Sequence, residues 1–328
     1  MGETPPLIAE LPDRRFARPP ALVAATSQRS VQPVPAPTSG SLNSTPLPTV
    51  GGEVARNEPA PLPVTSRTEQ LAALPAPTAP AANGKGGFSL ARQLGLGVSR
   101  IVIDPGHGGH DPGALGKGLS EADLVLDVAL RLEKLLQALP GFEVVLTRRS
   151  DVFVPLEQRT AIANRERADL FLSIHANASH NRSARGVETY FLNFASNPEA
   201  EAVAARENSA SERVMHNLPD LLKAIALNNK LDESRDLASY VQSSLVRKLR
   251  AQNASVKDLG VKQAPFVVLI GAGMPSVLAE IAFITNSQEA QHLRSAGYRQ
   301  KISEALFDAV AGYQRSLKAV TTVASQEP

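Results

Sequence analysis

Residues 100–109 read RIVIDPGHGG. A β-branched run that stops at Pro105-Gly106 is a strand delivering the chain into a tight turn. Ten residues on, Ser120-Glu121-Ala122-Asp123 has the pattern of a capping box, and Leu124, Leu126, Val128, Leu132, Leu135 and Leu136 give the helix behind it an apolar face that lasts to Pro140-Gly141. The pattern repeats outward from there. FEVVLT (142–147) predicts a strand, 156–168 a helix, DLFLSIH (169–175) a strand and GVETYFL (186–192) another. A polar helical stretch and an amphipathic helix over 237–249 follow, then PFVVLI (265–270) and SVLAEI (276–281) as strands, and a closing helix over 298–313. Strands alternating with helices predict an α/β fold, with a central, mostly parallel sheet of about six strands flanked by helices on both faces. No internal repeat of fixed period is present.

Composition sets the boundaries of that domain. Sixteen of the 25 prolines precede residue 98, and a Pro, Ala, Thr and Ser mixture with short apolar pairs cannot bury enough surface to offset backbone ordering. Residues 1–97 therefore read as a disordered Pro/Ala-rich tether, 98–317 as one domain of roughly 220 residues, enough for a single core, and 318–328 as a flexible tail. A net charge of +2 without a basic stripe gives no case for nucleic acid. Arg14, Arg15 and Arg18 near the start of the tether are read as solvated. The absence of cysteine excludes disulfides and thiolate metal sites and fits either redox compartment. No window approaches the 18 apolar residues of a membrane span, and the N-terminus lacks a basic region followed by an apolar stretch, so no export signal is legible.

The chemistry lies at strand ends. His107 and His175 each close an apolar strand, and ligands of open α/β sheets bind outside the carboxyl ends of strands, so both imidazoles arrive at one edge. His110 follows close behind His107. Glycines on both sides of His107 leave room for close approach. Two neutral imidazoles with one carboxylate and an open position are the donor set of a catalytic zinc site, and the carboxylate we select is Glu121, since the glycine loop returns the start of its helix to the strand edge. Each residue alone has a plainer reading: a satisfied structural histidine, or a first-turn Glu complementing the helix dipole. A phosphate loop is excluded, since neither GxxxxGK[ST] nor GxGxxG occurs over 100–120. Glu280 ends an apolar run. Burial there would raise its pKa and suit a general base that later acts as an acid; the alternative is a side chain turned to solvent or paired with a cation.

Together, DPGHGGHDPGA (104–114), SEAD (120–123), LSIHANA (172–178), GVETYFL (186–192), GVKQAPFVVL (260–269) and LAEIAFITN (278–286) resemble the zinc-dependent N-acetylmuramoyl-L-alanine amidases of bacterial cell division. The resemblance covers about residues 100–316 and keeps the motif order. It implies Zn2+ held by His107, Glu121 and His175, and Glu280 as the catalytic acid/base. The implied substrate is the peptidoglycan amide between N-acetylmuramic acid and L-alanine, which implies a periplasmic location. Asp104 and Asn177 are candidates for supporting the ligands or touching substrate, or are simple turn formers. About 40 residues between GVETYFL and Asp236 exceed what the fold needs. Some members of the family carry a regulatory helix here, so the insertion at about 195–235 is expected to cover the site, with Glu207 as an extra zinc ligand and Glu201 and Glu212 as rivals, and a protein activator is expected to displace it through the apolar Leu218, Leu221, Leu222 and Ile225. Many relatives also carry an export signal and a wall-binding domain; only the tether is legible here, which fits a truncated or misassigned start. A wall-binding scaffold without activity and a zinc peptidase on stem peptides are the competing functions.

Overall fold

A computed structural model describes residues 79–80, 98–211, 223, 230–318 and 320–321. The expected tether (apart from 79–80), the middle of the insertion with Glu212 and its apolar leucines, and most of the tail lie outside the described residues.

The core is a six-stranded sheet. Its strands are β1 (Arg100–Pro105), β2 (Glu143–Leu146), β3 (Leu170–Asn177), β4 (Val187–Leu192), β5 (Asp258–Ala264) and β6 (Ser276–Phe283). They lie in the order β2-β1-β3-β6-β4-β5. Every neighbouring pair is parallel except β6 with β4. That one reversal puts the start of β4 beside the carboxyl ends of β3 and β6. The register then lines up His175, Glu280 and Glu188 across three adjacent strands, all on one face because side chains alternate along a strand.

Helices α1 (Glu121–Gln137), α2 (Leu156–Arg165), α3 (Pro198–Glu207), α4 (Leu231–Arg250), α5 (Ser287–Arg294) and α6 (Ala296–Lys318) surround the sheet. Period-two alternation sends Ile101, Ile103, Leu170, Leu172, Val277 and Ala279 to a core shared with α1, α4 and α6. Val102, Phe171, Tyr190 and Leu278 point the other way, against α2 and α3. The inner strands β1, β3, β4 and β6 are buried almost throughout, which is why β1, β3 and β6 read as nearly continuous apolar runs, whereas the edge strands β2 and β5 are largely half-buried.

Two local expectations are corrected. Ser120 occupies the N-cap of α1 but makes no capping bond; its hydroxyl donates to the Pro112 carbonyl at 3.2 Å. PFVVLI is not a strand. The strand is the preceding Asp258–Ala264, and Val267–Leu269 form a 3-10 turn. Pro265 has no N–H for a ladder, while the Thr160 hydroxyl donates to the Val268 carbonyl at 2.5 Å and fixes the turn over α2. A short apolar run carries no periodicity that separates these outcomes.

Beneath the glycine loop lies a buried polar brace. Asp104, with no exposure, accepts from Thr147 at 2.5 Å, Arg159 at 2.9 Å and Ser173 at 2.8 Å. Burial opposes its charge, but Arg159 and the two hydroxyls outweigh this and hold the carboxyl below its usual range. Arg159 also donates to the carbonyls of Pro105 and His107, and Arg148 to those of Pro105, Gly106 and Ala122. Arg159→Met strands the Asp104 charge in the core, and breaking a buried pair from one side costs about 3–5 kcal/mol. Urea unfolding is expected to show a midpoint lowered to match; a midpoint within about 0.5 kcal/mol of the parent, where mutations away from such features fall, would mean that the brace carries no load.

Candidate metal centre

His107 leaves β1 with φ near 60°, a left-handed conformation that is uncommon for a residue with a side chain. The cross-bridge between Gly108 and Asp111, with bonds of 2.8 and 3.2 Å, closes the loop. It carries the Asp111 carboxylate to 2.9 Å from His107 Nδ1. A carboxylate on Nδ1 fixes the proton there and leaves Nε2 as the inward donor. Gly106 and Gly113 are needed for space. A Cβ on Gly106 would come within 2.4 Å of the His175 ring, and one on Gly113 within 2.6 Å of His107 and 2.8 Å of Glu121.

Glu121 begins α1 and is buried. Its Oε2 accepts from Ala114 N–H and its Oε1 from Ala176 N–H, each at 2.8 Å, so strand end and loop aim it together. Glu207 is the last residue of α3. The helix starts firmly, with Asn197 capping Ala200 N–H and Pro198 in the first turn, and it buries Ala200, Val203 and Ala204 against the sheet.

These elements bring four ligand atoms together. Glu121 Oε1 lies 3.1 Å from His107 Nε2 and 3.2 Å from His175 Nδ1; Glu207 Oε2 lies 3.1 and 3.0 Å from the same nitrogens. Donors about 2 Å from a tetrahedral ion are spaced by about 3.3 Å. The fit is close. His107 Nε2, His175 Nδ1 and Glu207 Oε2 are buried and have no hydrogen-bond partner, which is the condition a bound cation relieves. The proximity of imidazole and carboxylate is therefore one of charge rather than of aligned hydrogen bonds.

The charges reinforce one another. Burial opposes protonation of His107, but Glu121, Asp111 and Glu207 push it up to about 12. Against the same burial, Glu207 and Glu121 raise His175 to about 9. Glu121 and Glu207, although buried, are held below the usual carboxylate range by the two imidazoles. Glu280 behaves oppositely. Burial, then the neighbouring charge of Glu207, pushes it well above the ordinary value, and both its oxygens are buried without partners.

Other candidates fall elsewhere. Glu201 is exposed. His110 is exposed and stacks on Phe153, with ring centroids 4.0 Å apart. Asp104 serves the brace. Asn177 is buried, donates to Glu188 Oε1 at 2.6 Å and accepts from Arg206 at 2.7 Å. Sequence reading missed Asp111, Arg148, Arg159, Glu188, Arg206 and Lys262. Only Asp111, four residues from His107 inside a glycine loop, carried a local signal.

A family model described as N-acetylmuramoyl-L-alanine amidase matches residues 101–312. The chain belongs to this family. It is 34% identical over 224 residues to the N-acetylmuramoyl-L-alanine amidase AmiC of Escherichia coli O6:H1, a match that covers 65% of this chain and 52% of that relative, so the chain spans about half the relative's length. Among solved structures, the amidase AmiC2 of Nostoc punctiforme superposes with a TM-score of 0.50 at 30% identity, covering 66% of this chain and 97% of that one. The CwlD amidase of Clostridioides difficile, solved in complex with the GerS lipoprotein, does so with a TM-score of 0.50 at 25% identity, covering 66% and 98%. Amidases of this family are metal-dependent, and His107, Glu121, His175 and Glu207 form the cluster in this amidase-family chain that could hold the ion.

Because the neighbouring carboxylates raise both imidazoles, to about 12 and about 9, a divalent cation entering the cluster at about pH 7.5 is expected to displace protons, about two per ion. Affinity then rises with pH. Calorimetric titrations in buffers of different ionisation enthalpy measure this count; zero protons released would mean that both rings are already neutral.

Proposed function

We infer that this chain hydrolyses the amide joining N-acetylmuramic acid to L-alanine in peptidoglycan, and that α3 holds it inactive until a partner protein withdraws that helix. The observation that carries the reading is the row of His175 and Glu280 on adjacent strands, with an unpartnered, proton-retaining carboxyl beside a cluster of buried metal-type donors. Two imidazoles and a carboxylate at this spacing suit zinc. Zinc bound there supplies Lewis-acid polarisation of an amide carbonyl and makes water more acidic.

The chain's own residues do the rest. His107, Glu121 and His175 hold the ion, and their orientation is fixed before it arrives by Asp111, by the amides of Ala114 and Ala176, and by packing on Gly106. With α3 withdrawn, the negative charge of Glu207 leaves, which lowers the Glu280 pKa toward the working range. Glu280 accepts a proton from the attacking water, and it returns a proton to the amide nitrogen as the carbon–nitrogen bond breaks. The products are a muramoyl carboxylic acid and a free amine on alanine.

Glu207 occupies the position that water and substrate need. Its helix is small enough to release: three buried apolar residues, Ala200, Val203 and Ala204, and a partner preferring the open form by ~5.5 kcal/mol would carry the population from 1:99 to 99:1. The complex of CwlD with a lipoprotein supports the idea that a domain of this kind takes a protein partner. Among the described residues no helix is long and apolar enough to cross a membrane, and the substrate lies outside the cytoplasmic membrane, so we assign the periplasm.

Mass spectrometry of digested peptidoglycan tests the reaction: glycan stripped of peptide is expected, whereas shortened stems would indicate a peptidase and intact muropeptides a scaffold. Glu280→Gln should retain one zinc per chain and lose about 10²–10⁴-fold in turnover. Turnover within about threefold of the parent would give the role to another group, since acid/base groups contribute far more. Glu207→Ala should raise hydrolysis in the absence of any partner; a folded, zinc-loaded variant as slow as the parent would rule out autoinhibition by this residue.

A further inference from the structure

Beside the metal cluster, between the end of β3 and the face of α3, lies a cleft of about 690 Å³ lined in part by Asn177, Ala178, Glu188, Arg206, Lys262 and Phe283. Arg206 reaches into it from the blocking helix. One guanidinium nitrogen donates to the Ala178 carbonyl at 2.6 Å and another to Asn177 Oδ1 at 2.7 Å. Two acceptors at the end of a central strand are thus satisfied only because α3 is docked. When Glu207 leaves the metal cluster, Arg206, the adjoining residue, leaves these oxygens as well.

The acceptor character of the pair is built in. Asn177 can present either its oxygen or its amine to the cleft, and Glu188 decides which: a carboxylate accepts, so it takes Asn177 Nδ2 at 2.6 Å and turns Oδ1 outward. Glu188 is buried and is itself clamped by the Tyr190 hydroxyl at 2.8 Å and Lys262 Nζ at 2.5 Å. The Lys262–Glu188–Asn177 relay does not touch the four metal-type ligands. It holds one amide in one orientation, facing a cleft, beside the strand that carries His175. A ligand for two carbonyl oxygens must bring N–H donors, and Ala178, Ala184, Leu259 and Phe283 line the same cleft with apolar surface.

We propose that Asn177 Oδ1 and the Ala178 carbonyl form a binding subsite for the peptide side of the substrate, and that Arg206 occupies it in the closed form as a mimic of the peptide's N–H groups. The proposal rests on the amidase reading above. It makes α3 a double block, in which Glu207 fills the ion's open position and Arg206 fills the place of the leaving peptide. Glu188 and Lys262 are positioning residues that act through Asn177.

The test uses the full chain carrying Arg206→Ala and Glu207→Ala, loaded with zinc, and a soluble stem tripeptide that begins with L-alanine. This opened protein should bind the tripeptide at least tenfold more tightly than the parent, and the amide resonances that shift in NMR titration should centre on residues 177–179 and 259–262. Adding Asn177→Ala should weaken tripeptide binding by about tenfold and raise KM for peptidoglycan with kcat within about threefold, the range expected for one lost hydrogen bond to a neutral partner. Shifts confined to residues 108–117, or tighter binding of a disaccharide of N-acetylglucosamine and N-acetylmuramic acid at 177–179 than of the tripeptide, would overturn the subsite. The NMR map needs no change at Asn177, so it decides the matter even if that variant fails to fold. If the opened protein releases free peptide from peptidoglycan while tripeptide binding misses Asn177, the subsite is wrong and the amidase reading stands; if it releases no free peptide, the amidase reading is what fails and the subsite goes with it.

Discussion

The geometry of the site hangs on two buried arginines that hold the backbone of a glycine loop in place. Arg159 and Arg148 donate to the carbonyls of residues 105, 106 and 107, where the strand gives way to the glycine-rich turn, and Arg148 also to that of Ala122 in the first turn of α1. An unpaired carbonyl in the core costs about as much as a lost hydrogen bond, so the guanidinium forks stabilise the conformation in which these are satisfied. The charge of Arg159 is balanced by Asp104, anchored in turn by Thr147 and Ser173. His107 can sit at positive φ because its backbone has no freedom left to relax.

The second constraint is electrostatic. Three carboxylates and two imidazoles are buried within one small volume and shift one another: the rings hold Glu121 and Glu207 below the usual carboxylate range, while burial, then the charge of Glu207, pushes Glu280 well above it against the opposing pull of His175 and Arg206. Separated pKa values among neighbouring groups are what acid/base chemistry requires. The sheet register sets His175 beside Glu280 on adjacent strands, and Lys262 pairs with the neighbouring Glu188 at 2.5 Å.

On this floor α3 docks through a small contact set. It is held by a few small apolar side chains and by polar contacts clustered at its end, through Arg206, Glu207 and Asn208, whose side chain brackets Pro265 and Val267 at 2.9 and 2.8 Å. Those contacts are directed at groups that belong to the chemistry or lie next to it.

Much of this was legible in the chain itself. Alternating apolar runs and amphipathic stretches determined an α/β sheet with helices on both faces, and the strand-end positions of His107 and His175, with Glu121 at the next helix start, brought the donors to one edge, because the carboxyl ends of parallel strands must lie together. Glu207 was separated from Glu201 only once α3 was docked, since two glutamates on one helix differ in the face they present; Glu212 lies outside the described residues. The PFVVLI run and the Ser120 cap were decided by tertiary partners, Thr160 in one case and the Pro112 carbonyl in the other. Glu188 and Lys262 stand inside the GVETYFL and GVKQAPFVVL motifs, yet their pairing, like the roles of Arg148 and Arg159, was not legible there, because a buried polar group acquires its meaning from the partners the fold brings to it, and no local pattern records which carbonyl or carboxylate will lie beside it.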